Sequence, residues 1–135
     1  MPATIIPTFR CHDAPRMIDW LCAAFGFVRH AVYPDETGGI AHAQLVLGDA
    51  MIMLGSQRDD AFGRLQTTAR EAGRVTQSPY IVVAEVDALA ARAVALGAET
   101  VIGPRDEDYG GRAWSCRDPE GNLWNFGSYD PWAKP

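Results

Sequence analysis

His42 and Gln44 stand two residues apart in HAQLVLGDAMIML. In a strand that spacing sends both side chains to one face. An imidazole that titrates near neutrality can act there as a general base or as a ligand contact, or be a half-buried strand residue. Asn125 poses a related question in LWNFG, where a lone amide sits among large apolar groups. A buried amide must find partners, so it either contacts a ligand or closes a structural hydrogen-bond set. Cys116 would be a nucleophile only as a thiolate, for which the sequence offers no neighbouring base or cation; the alternative is a small buried hydrophobe. Tyr80 and Trp114 offer flat faces to a planar or cationic ligand, or simply pack. Arg10 suits an anionic ligand group or a solvated strand end, and Met51 and Met53 bring thioethers that adapt to varied shapes. No Ser/His/Asp set, Gly-rich phosphate loop or zinc spacing occurs, so hydrolase, nucleotide-binding and zinc-finger readings lack residues.

The elements that must place these groups follow from periodicity. TIIPTFR (residues 4–10) alternates as a strand, with Pro7 marking an edge. Asp13 then caps a helix through about Phe25, with Met17, Leu21 and Phe25 on one face and Gly26 as its stop. A strand from Phe27 to Tyr33 precedes a hairpin, 41–47 and 50–54, joined at Gly48-Asp49. YIVVAEV (80–86) is a strand, Asp87 caps a helix to about Leu96, and strands recur near 99–103, 112–117 and 123–128. DPEGN, before the last of them, has the residues of a tight turn.

Strand alternation assigns faces. Ile5, Pro7 and Phe9, with Ala43, Leu45, Leu47, Ile81, Val83, Trp124 and Phe126, make a core-facing set. Ile6, Thr8, Arg10, His42, Gln44, Met51, Met53, Tyr80, Trp114, Cys116 and Asn125 fall on the other side, where apolar bodies and scattered polar tips suit a small-molecule pocket.

Bulk composition narrows the partners. The 135 residues fit a single domain, and 47% apolar content is that of a globular protein. A net charge of -5 without basic blocks argues against nucleic acid and against a membrane surface. Three scattered cysteines argue against a disulfide framework and suit a reducing cytoplasm. No run approaches the roughly 20 apolar residues of a membrane span.

The halves read alike: strand, helix, three strands. Gly38-Gly39 against Gly110-Gly111, Ala41 against Ala113, and Gly55-Ser56 against Gly127-Ser128 all give an offset of 72, while the caps Asp13 and Asp87 give 74. The expectation is an α+β fold of tandem βαβββ modules, about 1–56 and 79–130, joined by a linker over about 57–78 with one small insertion between copies.

The tandem βαβββ order, the helix VDALAARAVALGAE and the ending DPEGNLWNFGSYDPW resemble the vicinal oxygen chelate superfamily of glyoxalases, bleomycin resistance proteins and extradiol dioxygenases. The resemblance implies a curled mixed sheet around a cleft. It also implies metal ligands on the first strand, on the hairpin and at the equivalent two places of the second module. Here those places fall on Ile6, Gln44, Tyr80 and Asn125, which leave no anionic or imidazole donor. The expectation is therefore no metal or other cofactor and a cleft that binds a small aromatic or cationic molecule, in a homodimer as the resemblance implies. The alternatives are a metal-dependent lyase or dioxygenase, a metal-free enzyme using His42 or Cys116, and a purely structural module.

Overall fold

The computed structural model describes residues 2–134. Asp13 caps α1 (Ala14–Phe25), its carboxylate accepting from the Arg16 N–H at 3.2 Å. Gly26, at φ 87°, takes the left-handed step that ends the helix, and its N–H bonds the Cys22 carbonyl. Met17, Ile18, Leu21, Ala24 and Phe25 recur at helical spacing and are buried. Around α1 fold β1 (Thr8–Cys11), β2 (Val28–Pro34), β3 (Ile40–Leu47) and β4 (Ala50–Ser56), in the order β1-β4-β3-β2 with β1 parallel to β4. A short α2 (Ala69–Ala72) interrupts the connection. The order repeats as β5 (Tyr80–Val82), α3 (Val86–Ala95), β6 (Glu99–Asp106), β7 (Arg112–Arg117) and β8 (Leu123–Gly127), in a second sheet β5-β8-β7-β6. No helix among the described residues is long and apolar enough to cross a membrane.

Each sheet turns one face to its helix and leaves the other open. Cys11, Ala43, Leu45, Ile52 and Leu54 face α1 and are buried. Phe25 of α1 packs edge-on against Trp124 and Phe126 of β8, at 5.4 and 4.8 Å between ring centroids, so both helix-side faces share one core. The helices are also tied directly: the Trp20 indole donates to Leu96 O at 2.7 Å, and the Arg92 guanidinium to Ala24 O at 3.0 Å. Ile5, expected in the core, is 93% exposed, because β1 begins only at Thr8.

Two register expectations are corrected, and together they revise the repeat. The second helix is not capped by Asp87, which lies inside its first turn and pairs with Arg112; the cap position is Glu85. Glu85 lies 72 after Asp13, so the caps keep the same offset as the glycine pairs and the inferred insertion disappears. The irregularity lies elsewhere. Ile40 pairs with Pro34 and His42 with Tyr33, leaving Ala41 as an extra residue in β3, whereas Arg112 and Ala113 of β7 pair regularly with Asp106 and Arg105. One bulged residue inverts the alternation beyond it. Gln44 faces Met53 in the first sheet and Ser115 faces Asn125 in the second, so beyond the bulge the offset along β3 and β7 is 71.

The DPEGN turn binds the halves together. Glu120 accepts from the backbone N–H groups of His12 at 2.6 Å and Asp13 at 2.7 Å, at the start of α1. Asp118 accepts from the N–H groups of Glu120 and Asn122, the Asn122 amide and the Trp124 indole, all within 3.0 Å. Burial pushes its carboxyl above the ordinary range and these donors pull it back.

Candidate functional site

Thr8, Gln44 and Met53 form one row across the open face of the first sheet: Thr8 pairs with Met53, and Met53 with Gln44. Beyond it Arg10 pairs with Gly55, and His42 with Tyr33. Met51 lies on the same face opposite Val46. A recess of about 230 Å³ is lined by Thr8, Arg10, His42, Met53 and Gly55 and closed by Phe62 from the connection between modules.

The polar groups there have defined partners. The Gln44 side-chain amide meets His42 Nε2 at 3.1 Å. Tyr33 stacks on His42, with 6.2 Å between centroids and 19° between planes. The Arg10 guanidinium lies 5.1 Å from the Phe62 ring centre, and its nearest hydrogen bond is a long one, 3.5 Å to Ser56 O. Gln57 anchors the segment that carries Phe62 by donating to Gly63 O and Gln66 O.

The second module contributes differently. Asn125 lies between Tyr80 and Ser115 on the open face. Its Oδ1 accepts from the Ser115 hydroxyl at 2.7 Å, and its Nδ2 donates to Ser78 Oγ at 2.8 Å and Pro79 O at 3.0 Å. Both amide hydrogens and one acceptor site of Oδ1 are used inside the protein. Tyr80 leans over Gly127, where a Cβ would collide with its hydroxyl, and donates to Tyr129 O at 2.7 Å. Desolvation, with Tyr109, Tyr129 and Asp130 nearby, raises its pKa, so it stays a phenol. Tyr80 shares a separate recess of about 480 Å³ with Ile6 and Met51.

Trp114 and Cys116 are not on the open face. Both are fully buried on the helix side, opposite Phe126 and Trp124, with the Trp114 indole donating to Thr100 Oγ1 at 2.9 Å. Alternation within the strand does not say which of its two sets faces out, so the sequence-based assignment was off by one residue, and Ser115 takes the open-face position instead. Burial, with Asp118 close by, pushes the Cys116 thiol up to about 12; Cys11 is raised further by burial and the Glu120, Asp118 and Asp13 carboxylates. Neither is a nucleophile at neutral pH.

The 72-residue symmetry also moves two of the four expected ligand positions. Thr8 pairs with Met53 as Tyr80 pairs with Asn125, so the equivalents of Tyr80 and Asn125 in the first module are Thr8 and Met53, not Ile6 and Gln44. A hydroxyl, a thioether, a protonated phenol and a satisfied amide do not fit a divalent cation, which takes carboxylate, imidazole or thiolate donors. Among the described residues no three His, Cys, Asp or Glu side chains converge as a metal site.

The model of the Glyoxalase/Bleomycin resistance protein/Dioxygenase superfamily matches residues 6–126. The chain belongs to that superfamily. Among its relatives, the uncharacterized protein Mb0911c of Mycobacterium bovis is 30% identical over 115 residues, 85% of this chain and 76% of the other. Among solved structures, TioX from Micromonospora sp. ML1 superposes with a TM-score of 0.73 at 28% identity, covering 93% of this chain and 98% of that one. The fosfomycin resistance protein FosX from Listeria monocytogenes, complexed with Mn(II) and 1S,2S-dihydroxypropylphosphonic acid, reaches 0.71 at 16% identity, covering 97% and 94%. That last likeness is one of fold alone.

The sequence missed Phe62, Gly55 and Ser115 as site residues. A signal existed for two of them: Phe62 is a large apolar residue in a polar connection, and Gly55 is one of the repeated Gly-Ser landmarks.

Proposed function

We propose that this superfamily member binds a small aromatic molecule, without a resident metal, on the open face of its first module. The observation that carries this reading is the donor set Thr8, Met53, Tyr80 and Asn125, which is too weakly coordinating to hold a divalent cation. What supports a ligand there is the recess under Phe62, where apolar bodies from Met53 and Phe62 meet polar tips from Thr8, Arg10 and His42. A cationic ligand has less support, since Arg10 is the one full charge among the strand residues of that face. The lyase or dioxygenase reading gains nothing from FosX, whose likeness stops at the fold. His42 has its Nε2 engaged by the Gln44 amide, which favours contact over general-base work.

A thermal-shift screen of aromatic acids, amides and amines tests this reading. A ligand at 100 times its Kd adds about 2.7 kcal/mol to stability. A rise in Tm with at least one class, unchanged by EDTA, is expected; no rise with any class contradicts ligand binding, and a rise that EDTA abolishes contradicts metal independence.

We also propose a homodimer, in a reducing cytoplasm that keeps Cys11, Cys22 and Cys116 free. Its support is the open face of the second sheet, where Tyr80, Val82 and Ile102, with Tyr109 and Tyr129 beside them, are each between 40% and 56% exposed. Exposed apolar groups gathered on one face, with Asn125 and Ser115 between Tyr80 and Ile102, are better covered by a second copy than left in water. The tail from Tyr129 to Trp132 adjoins it.

A further inference from the structure

We propose that the recess under Phe62 is a carboxylate site, in which the Arg10 guanidinium takes the acid group of a small aromatic acid while the ring occupies the apolar part beside Met53. The proposal rests on the binding reading above and adds the charge and chemistry of the ligand. Its first support is a missing partner. Arg29, Arg58, Arg64, Arg105, Arg112 and Arg117 each pair with a carboxylate; Arg10, like Arg16, Arg70, Arg74 and Arg92, has none within 4.0 Å among the described residues, and of these five it is the one that lines the recess under Phe62. An arginine half-buried against an aromatic ring, with one long hydrogen bond for its five N–H donors, has binding capacity left over.

The second support is that its position is held open. Gly55 lies beneath the guanidinium, and a Cβ there would stand 2.7 Å from Arg10 Nη1 and 3.0 Å from Ala41 O. The Phe62 ring also lies against the guanidinium, 5.1 Å from its carbon to the ring centre, and the planar fork suits a planar partner. The Thr8 hydroxyl and the His42 ring line the same recess, beside where the second oxygen of a carboxylate would lie.

Charge count selects the acid. Arg10 supplies one positive charge, which matches a monoanion that forks onto guanidinium. Arg74 joins Arg10 only in the adjoining recess of about 420 Å³, which both line; in the recess under Phe62 Arg10 is the one arginine, and a monoanion matches it there. At about 230 Å³ the recess suits one or two fused rings.

The test uses 2-naphthoate, 2-naphthamide and 2-naphthylmethylamine, three probes with one ring system and differing charge, titrated into the full-length ¹⁵N-labelled protein. The expected result is that naphthoate binds at least tenfold more tightly than the amide or amine and shifts the backbone resonances of Thr8, Arg10, His42 and Gly55. In Arg10→Gln that preference should vanish while amide binding is kept and the spectrum elsewhere is unchanged. Arg10→Lys, which keeps the charge but loses the fork, should restore part of it, and Phe62→Ala, at an exposed site, should weaken naphthoate without unfolding the chain. Equal affinity for acid and amide, or an acid preference that survives Arg10→Gln, overturns the carboxylate site and leaves the binding reading standing. Absence of shifts with all three probes, joined to a negative thermal-shift screen, overturns both.

Discussion

Asn125 shows how far a residue type can be read without its neighbours. An amide in an apolar strand signals a satisfied polar group, but whether protein or ligand satisfies it depends on Ser115, Ser78 and Pro79, of which two come from distant chain. Asn125→Ala leaves those partners unpaired, and we expect a loss of about 1–3 kcal/mol in urea unfolding with ligand affinity little changed. A variant as stable as the parent that no longer binds would return Asn125 to the site. Cys116 falls on the other face from the one expected because alternation within β7 leaves open which of its two sets faces the helix, and only the pairing with Trp124 decides it. Fully buried, with their thiol pKa values raised, Cys11 and Cys116 should resist a disulfide reagent in native buffer, leaving only the partly exposed Cys22 to react. Three thiols should react in denaturant, and three reacting in native buffer would contradict the burial.

The element most legible in the sequence was α1, since Asp13, the Met17–Leu21–Phe25 spacing and Gly26 are local signals that agree. The DPEGN turn was legible as a turn but not as a clamp, because the N–H groups it holds lie more than 100 residues earlier. Glu120→Ala removes both acceptors from the start of α1, and we expect a loss of about 1–2 kcal/mol, with Glu120→Gln between it and the parent. No change in either would mean the clamp adds nothing. The start of α3 has a titratable tie as well: hydrogen bonding to Arg112 holds the Asp87 carboxyl below its ordinary range. A folded-state pKa below the unfolded one gives stability that is present above the unfolded value of about 4 and is lost as pH falls through the folded one. The acid end of a Tm-against-pH curve should therefore flatten in Asp87→Asn; a curve parallel to the parent's throughout would remove Asp87 from the acid response.

For the whole molecule, the repeat order and the α+β class followed from periodicity and glycine landmarks, while the binding face needed the register that only paired strands supply. The connection between modules looked featureless because its one informative residue, Phe62, acts through Arg10, 52 positions away. Sedimentation velocity at micromolar concentration should give twice the 14.7 kDa chain mass if the open face of the second sheet is covered by another copy; a single species of chain mass would remove the dimer. The central claim, binding without a resident metal, is tested most directly by dialysing untagged protein, purified without chelator, separately against nickel, zinc, manganese and ferrous iron, then measuring bound metal by elemental analysis. The account predicts only trace retention after buffer exchange. Near-stoichiometric uptake of any one ion would contradict it and make His42 the first ligand to replace.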